Sequence, residues 1–123
     1  MHFLTARKRA EALGSARHGT LHHIAMTTSG WALLFLVPVW VVIVGRAIGG
    51  SLEEVRATFG HPFVAIVTGL FLVIGLRHFA GGARTAIEDY TRGFTRAALI
   101  MLANALSYLT IAAGLYALAR LAL

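Results

Sequence analysis

Cysteine is absent from this chain of 123 residues, and with it go disulfides, thiolate nucleophiles and cysteine-ligated iron-sulfur clusters. Nucleotide-binding loops, internal repeats and low-complexity segments are missing as well. Residues 1–23 are basic and polar, without the apolar core of a cleavable secretory signal, so the first hydrophobic segment is expected to act as its own insertion signal. Acid is scarce: five Asp and Glu stand against eleven Lys and Arg, for a net charge of +6. That excess first suggests nucleic acid, but its distribution excludes such a partner. The basic residues lie in short flanks, not in a soluble patch with interleaved aromatics that could bind bases.

What fills the chain is apolar, with 58% hydrophobic residues and a mean hydropathy of +0.75. Residues 24–45 and 97–119 contain no Asp, Glu, Lys or Arg, and 62–83 contain a single charge, Arg77. Each run matches the roughly 20 apolar residues that carry a helix across a bilayer. Backbone polar groups in hydrocarbon must be satisfied within the structure, by helices or by a closed barrel. Unbroken apolarity without inside/outside alternation argues against the barrel. The chain is therefore expected to be one all-α membrane unit of three transmembrane helices. A cytoplasmic lead-in covers 1–23 and the membrane unit 24–121, with helices over about 24–48, 62–87 and 94–120.

Basic residues set the orientation. Arg7, Lys8, Arg9 and Arg17 precede the first helix, and Arg84, Arg92 and Arg96 surround the second connection. Arg46 and Arg56 flank the first connection, where Glu53 and Glu54 dilute them. The positive-inside rule then puts the N-terminus and the second connection in the cytoplasm or its topological equivalent. Pro38 is expected to kink the first helix. Ser51 with Glu54 reads as a capping box opening a short polar helix over 52–58. Pro62 suits the first turn of the second span, which is expected to run through Gly81-Gly82 to about Ile87, with residues 88–93 as a connection.

His78 lies deep in the second apolar run, where an ionisable side chain is costly and points to a ligand or a partner. On an unbroken helix Asp89, eleven residues on, returns to within about 20° of His78 and lies about 16 Å along the axis. Gly75, Gly82 and Thr85 share the stripe. Two readings stand side by side. Small residues either side of a histidine leave room for a porphyrin to approach an axial ligand, or they serve close helix packing, with His78 donating to a backbone carbonyl. Arg77 points about 100° away from His78 and so is expected on another face. Its side chain either snorkels to the cytoplasmic headgroups or pairs with a haem propionate. Tyr90, after Asp89, is either an interfacial belt residue or a hydrogen-bond donor to a quinone carbonyl, with Asp89 holding geometry or relaying a proton. His22, His23 and His61 are read as solvated, and Trp31, Trp40, Tyr108 and Tyr116 as packing or belt residues.

Taken together, His78, Gly82 and the run Ile87-Glu88-Asp89-Tyr90 resemble the small hydrophobic membrane anchor subunit of succinate dehydrogenase, respiratory complex II. The lead-in Leu13-Gly14-Ser15-Ala16, Gly19-Thr20 and His22 is similar to that family's approach to its first helix. The likeness is greatest to the alphaproteobacterial and mitochondrial-like branch. It implies a cytochrome b anchor that pairs with a second three-helix subunit and holds haem b between them, one histidine from each. His78 would then be the axial iron ligand contributed by this chain. Tyr90 matches the family's quinone-site tyrosine, with Asp89 as its neighbour, and the substrate would be ubiquinone. FAD and the iron-sulfur clusters would reside on a flavoprotein subunit and an iron-sulfur subunit, leaving no succinate-oxidising residues here. The chain departs from the family pattern at residues 24–28, which contain neither Arg nor Gln, and at Arg84, where related chains often carry Gln. Two other functions fit the residues: a haemless structural anchor of the same fold, and a small oligomeric transporter or channel subunit with Arg77 and His78 along a polar path.

Overall fold

A computed structural model describes residues 5–7 and 19–122. All regular structure among them is α-helical, in four helices: α1 (Gly19–Ala47), α2 (Leu52–Gly60), α3 (Pro62–Tyr90) and α4 (Gly93–Ala122). The rest of the lead-in, including Leu13-Gly14-Ser15-Ala16, lies outside the described residues. α1, α3 and α4 are long and apolar enough to cross a membrane. At 1.5 Å per residue, helices of this length extend about 44 Å, beyond the roughly 30 Å hydrocarbon core. Their ends therefore project into the headgroup layers.

Local chemistry explains the boundaries. α1 begins at Gly19, ahead of the charge-free run, and continues through Pro38 without a break. It ends at a turn where Gly49 takes φ 84, a conformation L side chains rarely adopt. Ser51 opens α2 with the expected capping box: its hydroxyl accepts from the Glu54 amide at 3.3 Å, and the Glu54 carboxylate accepts from the Ser51 amide at 2.7 Å. Pro62 sits in the first turn of α3.

The far end of α3 corrects the expectation of a connection over 88–93. α3 continues to Tyr90, and only Thr91 and Arg92 separate it from α4. The reason lies in α4, whose Arg96 donates from Nε to the Thr91 carbonyl at 2.9 Å and from Nη2 to the Glu88 carbonyl at 3.0 Å. Carbonyls at a helix end that would otherwise lack partners are thereby satisfied. Thr91 contributes its own hydroxyl to the Ile87 carbonyl, 2.6 Å away.

α3 is the central helix. It packs on α1 along one side and on α4 along the other, while α1 and α4 make no packing contact with each other among the described residues. Both pairs are antiparallel. Against α1, Trp40 stacks on Phe71 with centroids 4.2 Å apart, and Leu33 lies against Gly75. Against α4, Leu72 fills the space over Gly114, and Leu115 and Leu118 lie over Gly69. Small residues bring the backbones close, as expected where packing rather than hydrophobic expulsion drives association. At the other end of the unit from the α3–α4 turn, Gly60 closes on the Leu121 carbonyl.

Val67, Thr68 and Ser107 alone are buried among the described residues. Trp31 and Phe35 are 64% and 70% exposed. A layer with so much exposed apolar surface could not persist in water. It suits lipid and further membrane helices.

Candidate functional site

The three spans leave an open groove of about 370 Å³ along the face where α1 and α4 diverge, with α3 as its floor. His78 is half-buried in it. Its Nδ1 lies 2.7 Å from Ser29 Oγ on α1. Its Cε1 edge faces Gly30, close enough that a Cβ there would sit 3.7 Å away. The other ring nitrogen, Nε2, has no hydrogen-bond partner among the described residues. The packing reading supposed a backbone carbonyl as the partner of His78, and the structure has a serine hydroxyl instead.

The stripe of small residues beside His78 is used to seat α1. Leu33 lies over Gly75, and Met26 reaches Gly82 and, more tightly, Gly81, where an added Cβ would fall 2.6 Å from Sδ. His22 enters the same region, its Cε1 3.6 Å from that Cβ position. It lines the groove while remaining exposed. Thr85 turns its hydroxyl back to the Gly81 carbonyl at 3.2 Å.

Arg77 turns to a different side of α3 from His78, as its helical offset implies, yet both reach one groove. The groove spans both flanks of α3, with His78 turned to α1 and Arg77 to α4. Arg77 Nη1 donates to the Tyr108 hydroxyl at 2.8 Å, and the guanidinium carbon lies 5.9 Å from the ring centroid, within cation–π range. Tyr108 thus has a specific partner beyond packing. Asn104 and Ser107 extend the polar lining along α4. Arg84, also on the groove, pairs with Glu88 one turn on at 2.9 Å.

Asp89 and Tyr90 are not part of the groove. They occupy the last turn of α3, Asp89 exposed and Tyr90 89% exposed. Neither has a hydrogen-bond partner among the described residues. Their place is fixed by the Arg96 clamp on the carbonyls around them. His23 and His61 are exposed.

Residues 1–117 match the family of succinate dehydrogenase/fumarate reductase transmembrane subunits. The chain belongs to that family. It is also similar to the succinate dehydrogenase hydrophobic membrane anchor subunit of Paracoccus denitrificans, with 49% identity over all of this chain and 95% of the relative. No solved structure matches it. For a transmembrane subunit of this family, three long apolar helices and a lipid-suited surface are the expected frame. The resemblance read from the residues around His78 and Tyr90 is thereby borne out at the level of family.

Among residues that matter to the groove, sequence reasoning missed Ser29 and Tyr108. A serine–glycine pair inside a charge-free run was a usable signal for Ser29. Its partner on another helix had no local trace.

Proposed function

We propose that this chain is a cytochrome b membrane anchor of a succinate:quinone oxidoreductase in the bacterial inner membrane, with its N-terminus cytoplasmic. It pairs there with a second three-helix subunit and docks an iron-sulfur subunit and a flavoprotein subunit that carry the iron-sulfur clusters and FAD. Family membership over nearly the whole chain supports the anchor role and favours it over the transporter reading. The observation that carries the haem assignment is His78 itself, half-buried in a membrane groove with Nε2 unpartnered.

The residues fit a b-type haem. His78 would be the residue of this chain that holds the haem iron, through the ring nitrogen that has no partner among the described residues. Arg77, within the same groove, suits an anionic propionate. A b-type haem, when bound, supplies a carrier of single electrons. This chain's residues do the positioning: Ser29 and Gly30 bound the imidazole, and the Tyr108 hydroxyl holds Arg77 near the same level.

Tyr90 is assigned to ubiquinone. Its hydroxyl, exposed and without a partner, is available to donate to a quinone carbonyl at the cytoplasmic headgroup level. Asp89 stands beside it to hold geometry or pass a proton. Both face outward from this chain, as a site completed by other subunits requires. The succinate-oxidising centre lies on the flavoprotein.

The Ser29 contact also favours a second reading, a haemless anchor in which His78 only ties α1 to α3. Affinity purification of the assembled complex from membranes, followed by intact mass and a reduced-minus-oxidised spectrum, separates the possibilities. Co-purifying flavin, iron-sulfur and second membrane subunits with a b-type spectrum are expected. A self-associated oligomer without flavin would contradict the anchor, and the full complex without haem would leave only the haemless form.

A further inference from the structure

We infer that Ser29 is a positioning residue for His78, holding the imidazole in the tautomer with its proton on Nδ1 and leaving the Nε2 lone pair for iron. This rests on the haem reading above and deepens it. Ser29 Oγ has three close polar neighbours: the Ala25 carbonyl at 2.8 Å, the Met26 carbonyl at 3.0 Å and His78 Nδ1 at 2.7 Å. A hydroxyl has one proton and two acceptor lone pairs. Carbonyl oxygens only accept, so the Ser29 proton goes to them, the usual back-bond of serine in an apolar helix. Were it given to Nδ1 instead, both carbonyl oxygens would face hydroxyl lone pairs across 3.0 Å or less. Inside a bilayer no bulk water relieves that repulsion.

Oγ therefore accepts from Nδ1–H. A neutral imidazole carries one N–H, so Nε2 is bare, and it is the nitrogen without a partner among the described residues. The contact spans α1 and α3, so the register of two helices, not a local turn, selects the tautomer. Gly30 reinforces it by giving the ring edge a flat surface at van der Waals distance. An acceptor on the second nitrogen of a ligating histidine fixes the ring and raises its basicity, and losing such a partner typically weakens metal binding by about 10- to 100-fold. A more electron-rich ligand favours the ferric state, so the Ser29 contact holds the potential down.

The test uses the purified complex carrying Ser29→Ala or Ser29→Thr, with succinate oxidation by an artificial acceptor as the check on assembly. Haem transfer from the complex to apomyoglobin is followed together with the midpoint potential and the low-spin electron paramagnetic resonance spectrum. Ser29→Ala is expected to speed haem transfer by roughly 10-fold or more, raise the potential and change the resonance spectrum. Ser29→Thr, which keeps the hydroxyl, stays near wild type. Unchanged transfer, potential and spectrum in Ser29→Ala would overturn the inference, as would equal changes in both variants, which mark a steric effect. A b-type spectrum that survives in His78→Ala would instead defeat the haem assignment, whatever Ser29 does.

Discussion

Arg96, in the first turn of α4, donates from Nη2 to the backbone carbonyl of Glu88 at 3.0 Å and so fixes the last turn of α3 from outside that helix. The same guanidinium reaches the Thr91 carbonyl at 2.9 Å. Through these two bonds the end of one span positions Asp89 and Tyr90 at the headgroup level.

Replacing Arg96 by Met removes both donors while keeping an apolar stem. Hydrogen bonds from a charged donor contribute on the order of 1.5–3 kcal/mol each where they are partly buried. The last turn of α3 is expected to fray, with faster amide exchange over 87–91. Ubiquinone reduction falls several-fold, while succinate oxidation by an artificial acceptor persists. Unchanged exchange in the variant would show that the turn does not depend on the clamp.

Tyr90→Phe keeps the ring and removes only the hydroxyl. Because that hydroxyl has no partner within the described residues, the fold loses nothing, and thermal stability is expected to match wild type. Quinone reduction by the complex drops by up to about 10-fold, the effect of losing one hydrogen bond of roughly 0.5–1.5 kcal/mol. Equal rates in both proteins would remove Tyr90 from the quinone site.

Two glycines separate packing from propensity. A Cβ on Gly60 would lie 2.9 Å from the Leu121 carbonyl oxygen, which belongs to backbone and cannot swing aside. Gly60→Ala is expected to push α2 away from the end of α4 and cost about 1–3 kcal/mol. Gly45, inside α1, has open space at its Cβ position. Gly45→Ala should be neutral or gain up to about 1 kcal/mol. Thermal inactivation of the purified complex ranks the two, and a Gly60→Ala protein as stable as wild type would refute the close contact.

The pattern of what could be read without coordinates has physical causes. The three spans were legible because charge-free runs of bilayer length have few other uses, and the α2 capping box because Ser51 and Glu54 are three residues apart. The true end of α3 was not, since its carbonyls are satisfied by Arg96, eight residues beyond Glu88 on the next helix. His78 stood out by the cost of an imidazole among apolar neighbours. Its contact with Ser29 depends on the register of two helices 49 positions apart in the chain, which no local spacing encodes. The separate faces of Arg77 and His78 followed from 100° on a helical wheel, but their sharing one groove did not, because the wheel says nothing of how wide a groove two neighbouring helices leave.

Glu54 gives α2 a pH dependence. Its carboxyl is held below the ordinary carboxylate value by the Ser51 backbone amide first and the Ser51 hydroxyl second. A lowered folded-state value means the stabilisation is fully present above the ordinary carboxylate value and is lost as pH falls through the folded one. Amide exchange over 52–60, corrected for its intrinsic rate, is expected to be constant near neutrality and to accelerate only in acid. Glu54→Gln should flatten that dependence, and an acid response that persists in this variant would assign it to another group.

The most direct test of the account is the pyridine haemochrome content of the complex purified with wild-type chain or with His78→Leu, normalised to flavin. The wild-type complex is expected to contain b-type haem, and the variant to lose or strongly alter that signal while retaining flavin and artificial-acceptor activity. An unchanged haem signal in His78→Leu would contradict the assignment of iron to this residue.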